Sequence, residues 1–284
     1  MMSGDKLITL LLESAQTNRA EPLRNGQMLC FPGAGELLIT ADLHNHARNF
    51  ERIIKFAALH KNPQRHVILQ ELIHGGALGP NGEDSSIDML VAAMQWAQQY
   101  RHQVHFIVAN HDLAQVQRLA IMKDGYDLTD RFNRNLELSY TKKVPQVIAA
   151  FKEFVYSMPL AAITVTGIFL SHSLPGPRDL ATFDPQVLRR ALTERDFDRG
   201  GPIYQLIWGR NQTAEVLTKL SRLWWADVFI CGHQQQEQGY GVIGDRMLIL
   251  DSSHNHGTYL LLDLARQYAF EDLVANVRPL AEIA

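Results

Sequence analysis

The sequence predicts an α/β fold, and three observations carry that expectation. Short apolar runs alternate with amphipathic stretches of helical period, the runs end one after another in Asp, Glu, Asn or His, and turn residues mark the transitions. Strands that alternate with helices favour parallel pairing, and such sheets gather ligands beyond the carboxyl ends of their strands. With 46% hydrophobic and 20% charged residues, the 284-residue chain has the composition of an ordinary globular protein, not of a disordered or disulfide-stapled one. No internal repeat, linker or low-complexity segment divides it. Residues 1–284 therefore read as one domain, with residues 1–35 as an N-terminal helix and strand extension.

The elements follow in order. Met1 to Gln16 holds the apolar stretch Leu7 to Leu12, flanked by Asp5, Lys6 and Glu13, and reads as an amphipathic helix without a leader's cleavage site. Gln27 to Phe31 and Glu36 to Ala41 read as strands around the turn Pro32-Gly33-Ala34-Gly35, an expected opening hairpin. Phe50, Ile53, Ile54, Ala57 and Ala58 give Asn49 to Leu59 a helical period, and His66 to Gln70 is a strand. Residues 72–86, with four Gly and a Pro, form a loop before a helix at Ile87 to Gln99 and a strand at His105 to Ala109. Helices are expected at Leu113 to Met122, Lys143 to Tyr156, Val187 to Thr193 and Thr213 to Leu223. Strands are expected at Leu160 to Val165, Ile168 to Ser171 and Val228 to Cys231, with a closing hairpin of Met247 to Asp251 and Thr258 to Leu264.

Charge names no partner: 27 Lys and Arg against 30 Asp and Glu leave a net charge of −3, with no basic excess to mark a nucleic-acid surface. No apolar run reaches the length of a membrane span. Cys30 and Cys231 each lie inside an apolar run, as buried free thiols do, so a reducing, cytoplasmic setting is expected. Nothing in the sequence sets the oligomeric state.

The strand ends hold the chemistry. Leu38 to Ala41 runs into Asp42-Leu43-His44, Val67 to Gln70 into Glu71, and Phe106 to Ala109 into Asn110-His111-Asp112. Ile168 to Ser171 runs into His172, Val228 to Cys231 into Gly232-His233, and Leu248 to Leu250 into Asp251 with His254 and His256 beyond. Eight of the twelve histidines lie at or near such ends: His44, His46, His74, His111, His172, His233, His254 and His256. A lone histidine in a loop is ordinarily a bystander. Five successive ends carrying carboxylate, amide and imidazole donors point to a divalent metal site.

These residues resemble the calcineurin-like metallophosphoesterases, nearest in pattern to their Ser/Thr phosphoprotein phosphatase branch, over about residues 37–264. The family pattern D-x-H, G-D-x-x-D, G-N-H-[DE], H-[GS] and G-H is met by Asp42-Leu43-His44, Gln70-Glu71-Leu72-Ile73-His74, Ala109-Asn110-His111-Asp112, Ser171-His172-Ser173 and Gly232-His233. The stretch from His233 to Gly239-Tyr240 follows the phosphoprotein phosphatase version of the last motif. The resemblance implies a four-layer α-β-β-α sandwich of two mixed sheets with helices outside. It implies that Asp42, His44 and Glu71 hold one metal, and that Glu71, Asn110, His172 and His233 hold a second, with Glu71 bridging. Two departures stand out: Glu71 after Gln70 replaces Asp after Gly, and His74-Gly75 replaces the Asp-Arg of phosphoprotein phosphatases.

A pair of Mn, Fe or Zn ions fits this mixture of imidazole and oxygen donors. Such a pair clamps an in-line displacement and makes a hydroxide from shared water near neutral pH. His111, next to Asn110, is the candidate general acid, with Asp112 or His74 to fix its tautomer. Arg210 is the candidate phosphate clamp, and His254 and His256 the candidate lining of the substrate pocket. The substrate is a small-molecule phosphoester, a nucleotide or a phosphoprotein. Two other readings compete. Asp42-Leu43-His44-Asn45-His46 with the late Asp251 to His256 loop also resembles amidohydrolase-like and histidinol-phosphatase-like barrels, which would need His46 as a ligand. The other is a catalytically weak metal- or nucleotide-binding module.

Overall fold

The computed structural model describes residues 2–283. In chain order its elements begin with α1 (Gly4–Arg19), β1 (Arg24–Asn25), β2 (Met28–Phe31), β3 (Glu36–Asp42), α2 (Ala47–Ala57), β4 (Arg65–Gln70), α3 (Ile87–Gln99), β5 (Val104–Ile107) and α4 (Asn110–Gln117). A small hairpin, β6 (Met122–Lys123) and β7 (Tyr126–Asp127), leads to α5 (Leu128–Tyr140), α6 (Val144–Ser157), β8 (Ala161–Thr164) and β9 (Ile168–Ser171). Then come α7 (Pro202–Trp208), α8 (Ala214–Trp224), β10 (Val228–Cys231), β11 (Tyr240–Ile243), β12 (Met247–Leu250), β13 (Thr258–Asp263), α9 (Phe270–Ala275) and β14 (Arg278–Pro279).

The strands build a seven-stranded sheet, β1-β2-β8-β9-β10-β12-β11, and a five-stranded sheet, β14-β13-β3-β4-β5. Both are mixed. Neighbours β9, β10 and β12 are parallel, as are β3, β4 and β5, whereas β8 with β9, β11 with β12 and β3 with β13 are antiparallel.

Side-chain alternation explains the layers. Leu37, Ile39 and Ala41 of β3 join Ile68, Ile107, Leu170, Ile230 and Leu248 in one apolar cluster drawn from both sheets. Leu38, Val67, Leu69 and Phe106 alternate with them and belong instead to the cluster that contains the buried helix residues Leu7, Leu11, Ala93 and Met94. On the other sheet Phe169 stacks on Trp224 of α8 with ring centroids 4.5 Å apart. Two sheets inside and helices outside make the four-layer sandwich that the resemblance implies. Two open sheets also remove the barrel reading. His46, the ligand that reading requires, caps α2 by accepting the Asn49 N–H at Nδ1, 3.2 Å away.

Both expected hairpins are overturned. β2 pairs with β8 in one sheet and β3 with β4 and β13 in the other, so the turn between them crosses from sheet to sheet. Gly35 permits that crossing: its φ is +90°, and a Cβ there would lie 2.3 Å from the Gln64 carbonyl oxygen. At the other end β12 lies between β10 and β11, while β13 belongs to the second sheet. Val187 to Thr193 is not a helix; a 3₁₀ turn at Pro185–Leu188 stands there. The helix expected at Leu113 to Met122 starts at Asn110 and stops at Gln117, where Arg118 turns left-handed at φ 56°. Helices α5, α7 and α9 and strand β11 escaped the sequence reading. In α5 the buried face is Thr129, Phe132, Asn135, Leu136 and Tyr140, half of it polar-atom bearing, which blurs the apolar period.

His105 of β5 gives the fold an acid-sensitive point. It is 5% exposed, its Nε2 lies 3.1 Å from His66 Nδ1, and burial pushes its pKa down to about 3. The folded protein keeps this ring neutral, whereas the unfolded chain protonates it near pH 6.5. The resulting stability is complete above that pH and is lost as pH falls towards 3, at up to about 1.4 kcal/mol per pH unit. Denaturant titrations of His105→Gln at pH 7, 6 and 5 should show a shallower decline than wild type; equal slopes contradict the assignment.

Candidate metal centre

Six side chains from five strand ends converge. Asp42 closes β3, His44 follows it, Glu71 follows β4, Asn110 opens α4 after β5, His172 follows β9 and His233 follows β10. Asn110 Oδ1 lies 2.7 Å from His172 Nε2 and 2.8 Å from His233 Nδ1. Glu71 Oε2 lies 3.5 Å from both His44 Nε2 and His172 Nε2, and Asp42 Oδ1 lies 3.6 Å from His172 Nδ1. Glu71 thus stands in the middle, with its side chain 1% exposed.

The backbone is bent to achieve this. His44, Glu71, His74 and His233 all have left-handed φ values, between 42° and 66°, and a cluster of such residues marks a site where the surrounding fold holds strain in place. The loops after β3 and β4 are stitched together, for the Glu71 carbonyl accepts the N–H of Leu43 and of His44 at 3.1 and 2.8 Å. Gly232 is bare for a reason: a Cβ there would fall 2.3 Å from Asp42 Oδ1. That space lets the Asp42 carboxylate accept the His233 N–H at 3.0 Å. Glu71 Oε1 accepts the His111 N–H, 3.0 Å away in the first turn of α4, where the helix dipole favours a negative charge.

The protons are accounted for, and they leave lone pairs facing one another. His44 Nδ1–H donates to the Ile73 carbonyl at 3.0 Å, so Nε2 is bare towards Glu71. Gln70 donates through Nε2 to the Thr40 carbonyl and accepts the His172 Nδ1–H at Oε1, so His172 Nε2 is bare towards Asn110 Oδ1. His233 Nε2 is buried without a hydrogen-bond partner. Burial pushes the Asp42 carboxyl up, and burial with the nearby Asp42 charge pushes Glu71 well up. Burial drives His172 well down and His233 down to about 3, so these imidazoles resist the protons that would relieve the carboxylates. Cations relieve both at once. Two groups of three, His44 with Glu71 and His111 and Asp42 with Glu71 and His172, place their candidate ligand atoms within 4.8 Å of one another. The residues therefore fit a divalent metal site of oxygen and imidazole donors.

His111 stands beside this set, its ring 4.8 Å from that of His44. Its Nδ1 lies 3.0 Å from His74 Nδ1, and His74 Nε2 lies 2.8 Å from Gln115 Oε1. Gln115 in turn donates through Nε2 to Asn133 Oδ1 at 2.8 Å, which turns its carbonyl towards His74. Burial lowers the His74 pKa to about 4, so His74 is neutral, protonated at Nε2 and accepting at Nδ1. His111 consequently donates from Nδ1, and its Nε2 is the atom left for a ligand. Asp112 does not fix this tautomer: its carboxylate caps α4 by accepting the Ala109 N–H at 3.0 Å, and burial raises its pKa to about 7. Gln70, Gln115 and Asn133 were missed in the sequence because a glutamine or asparagine carries no motif of its own.

Arg210 is exposed and donates from Nη2 to the His233 carbonyl at 3.3 Å, which puts its charge beside the centre. His254 has no nitrogen to offer a substrate. Its Nε2 lies 2.9 Å from the Gln236 carbonyl and its Nδ1 accepts the His256 N–H at 3.2 Å, so it holds the loop together. His256 is exposed, and among the described residues no hydrogen bond joins its ring to the converging six.

The sequence profile described as calcineurin-like phosphoesterase matches residues 36–256, which include all six converging residues. The chain belongs to this family. No curated protein matches it in a sequence search. Among solved structures it is similar to a Saccharomyces cerevisiae protein serine/threonine phosphatase with similarity to human phosphatase PP5. That likeness has a TM-score of 0.66 at 12% identity and covers 99% of this chain and 94% of the other. It is also similar to a cold-active protein-tyrosine phosphatase of a psychrophile Shewanella sp., with a TM-score of 0.56 at 15% identity over 89% of this chain and 83% of that one. At such identities the likeness establishes the fold.

Within the calcineurin-like family the two departures have physical counterparts here. Gln70 orients the His172 ring, and the neutral His74 orients His111. Gly75 cannot be the arginine of phosphoprotein phosphatases, because any Cβ there would lie 2.3 Å from the His44 carbonyl oxygen. Gly232→Ala should push Asp42 out of line and weaken Mn binding about tenfold or more by calorimetry; wild-type affinity would show that the carboxylate does not depend on that gap.

Proposed function

We propose that the protein hydrolyses a phosphate ester at a dinuclear metal centre in which Asp42, His44 and Glu71 hold one cation and Glu71, Asn110, His172 and His233 hold the other. The observation that carries this reading is the position of Glu71, whose one carboxylate lies equally near His44 and His172 and so borders both donor sets. A cation pair supplies Lewis acidity and lowers the pKa of water in the site. Mixed imidazole and oxygen donors favour Mn, Fe or Zn over Mg or Ca.

The chain's own groups do the rest. Arg210 offers its guanidinium to the phosphoryl oxygens, as planar donors do for phosphate. His111, held by His74 at Nδ1, presents Nε2 to the leaving oxygen. As the bond from phosphorus to the water oxygen forms and the ester bond breaks, the departing oxygen takes a proton from Nε2 of the doubly protonated His111, leaving an alcohol, phosphate and the neutral ring with its proton on Nδ1. Burial and the neighbouring histidines push the His111 pKa well down, which makes the protonated ring a strong acid towards the leaving oxygen. A small phosphoester, a nucleotide and a phosphoprotein are the substrate classes of this reading.

Mn-dependent release of p-nitrophenol from p-nitrophenyl phosphate and its bis ester tests the reading. Turnover that disappears with chelator or with Glu71→Gln supports it. Buffer-level rates from metal-loaded protein would leave a metal-binding module. His111→Asn should lower kcat by about two to four orders of magnitude with metal content unchanged. Gln115→Leu, which removes the acceptor that sets the His74 tautomer, should shift the acid limb of the kcat profile and restore it in Gln115→Glu; loss of metal in either variant contradicts these roles.

A further inference from the structure

Beside the centre lies a cavity of about 450 Å³ between two loops, lined by Arg178 and Asp179 on one side and Trp208, Arg210 and Asn211 on the other. It adjoins the proposed ligand His233 through two of its lining residues. Arg210 reaches the His233 carbonyl at 3.3 Å, and the Trp208 ring meets that of His233 edge-on with centroids 6.0 Å apart. The walls are locked to each other. Ser173 Oγ donates to the Gly209 carbonyl and Gln212 Nε2 to the Leu174 carbonyl, both at 2.6 Å. Gly209 has no room for a side chain, since a Cβ would meet the Leu174 carbonyl oxygen at 1.8 Å.

Two arginines and one aspartate line this cavity, so its charge is net positive. Among the described residues neither Arg178 nor Arg210 enters an ion pair, in contrast to Arg190, which pairs with Asp184 and Asp196. The acid that shares the cavity, Asp179, accepts the Gly176 N–H at 3.1 Å. Two arginines lining one pocket, one of them bonded to the His233 carbonyl beside the candidate metal centre, suit an anion that extends past the reacting group. A single phosphate on the cations engages Arg210 and leaves Arg178 without a partner.

Building on the phosphoesterase reading, we infer that this cavity is a subsite for a second phosphate on the same substrate molecule. Arg210 takes the phosphate nearest the metals and Arg178 the outer one. The preferred substrate is accordingly a small polyphosphorylated compound and not a phosphate attached to a neutral group or to a folded protein surface. Trp208 also lines the cavity, next to Arg210.

Calorimetry of phosphate and of pyrophosphate, on protein held at a fixed free Mn concentration, tests the subsite without turnover. Pyrophosphate should bind at least tenfold tighter than phosphate. Arg178→Ala should shrink that ratio towards one, and Arg178→Lys, which keeps the charge but loses the fork, should fall between. A ratio near one in wild type, or a ratio untouched by Arg178→Ala, overturns the subsite. The outcome is separate from the catalytic reading: an Arg178-dependent ratio in protein that fails to hydrolyse p-nitrophenyl phosphate supports the subsite and removes the hydrolase. A phosphoserine peptide that competes better than pyrophosphate would overturn the choice of substrate class.

Discussion

A carboxylate buried among imidazoles with no protons to share is the constraint around which this molecule is built. Glu71 lies at the centre of it, its side chain 1% exposed and its Oε2 3.5 Å from two histidine nitrogens whose own protons are spent elsewhere. Burying a carboxylate beside Asp42 and facing bare imidazole lone pairs is costly, and its pKa is pushed well up as a result. The fold bears it by anchoring Glu71 Oε1 to the α4 amide and by holding the strand-end loops in left-handed turns. Cations bound there remove the conflict, so metal binding and local order are coupled in this region.

The packing of the two sheets supplies the rigidity. Parallel strands β3, β4 and β5 end side by side in one sheet, and β9 and β10 end side by side in the other. Because the inner faces share one apolar cluster, the two sets of ends are held against each other as a single rim. Asp42 and His233, from different sheets, meet through the Asp42 carboxylate and the His233 amide. A shift of one sheet over the other would separate the donors and expose Glu71.

Around the rim, neutral hydrogen-bond relays do the orienting. Asn133, Gln115 and His74 form a chain that ends on His111, and Thr40 and Gln70 form another that ends on His172. Such relays fix tautomers without adding charge to a centre already crowded with carboxylates. Gly75 completes the picture, for the loop there passes too near the His44 carbonyl to carry a side chain, and the arginines near the centre stand on the 178 and 210 loops instead.

The strands that carry the site, the principal helices and the six converging residues were legible in the sequence, because apolar period and strand-end chemistry are local properties of the chain. Strand partners were not. Nothing in Met28–Phe31 or Glu36–Asp42 says that neighbours in sequence enter different sheets, since pairing is decided by which faces can be buried together. Helix α5 was hidden by its polar buried residues, and with it went Asn133 and the far end of the His111 relay. The order of donor residues thus determined what chemistry the protein attempts. Which donors share protons, which glutamine turns which ring, and that Asp112 caps a helix while His74 serves His111, only the packed structure decided, because a hydrogen bond between distant side chains leaves no periodic trace in a sequence.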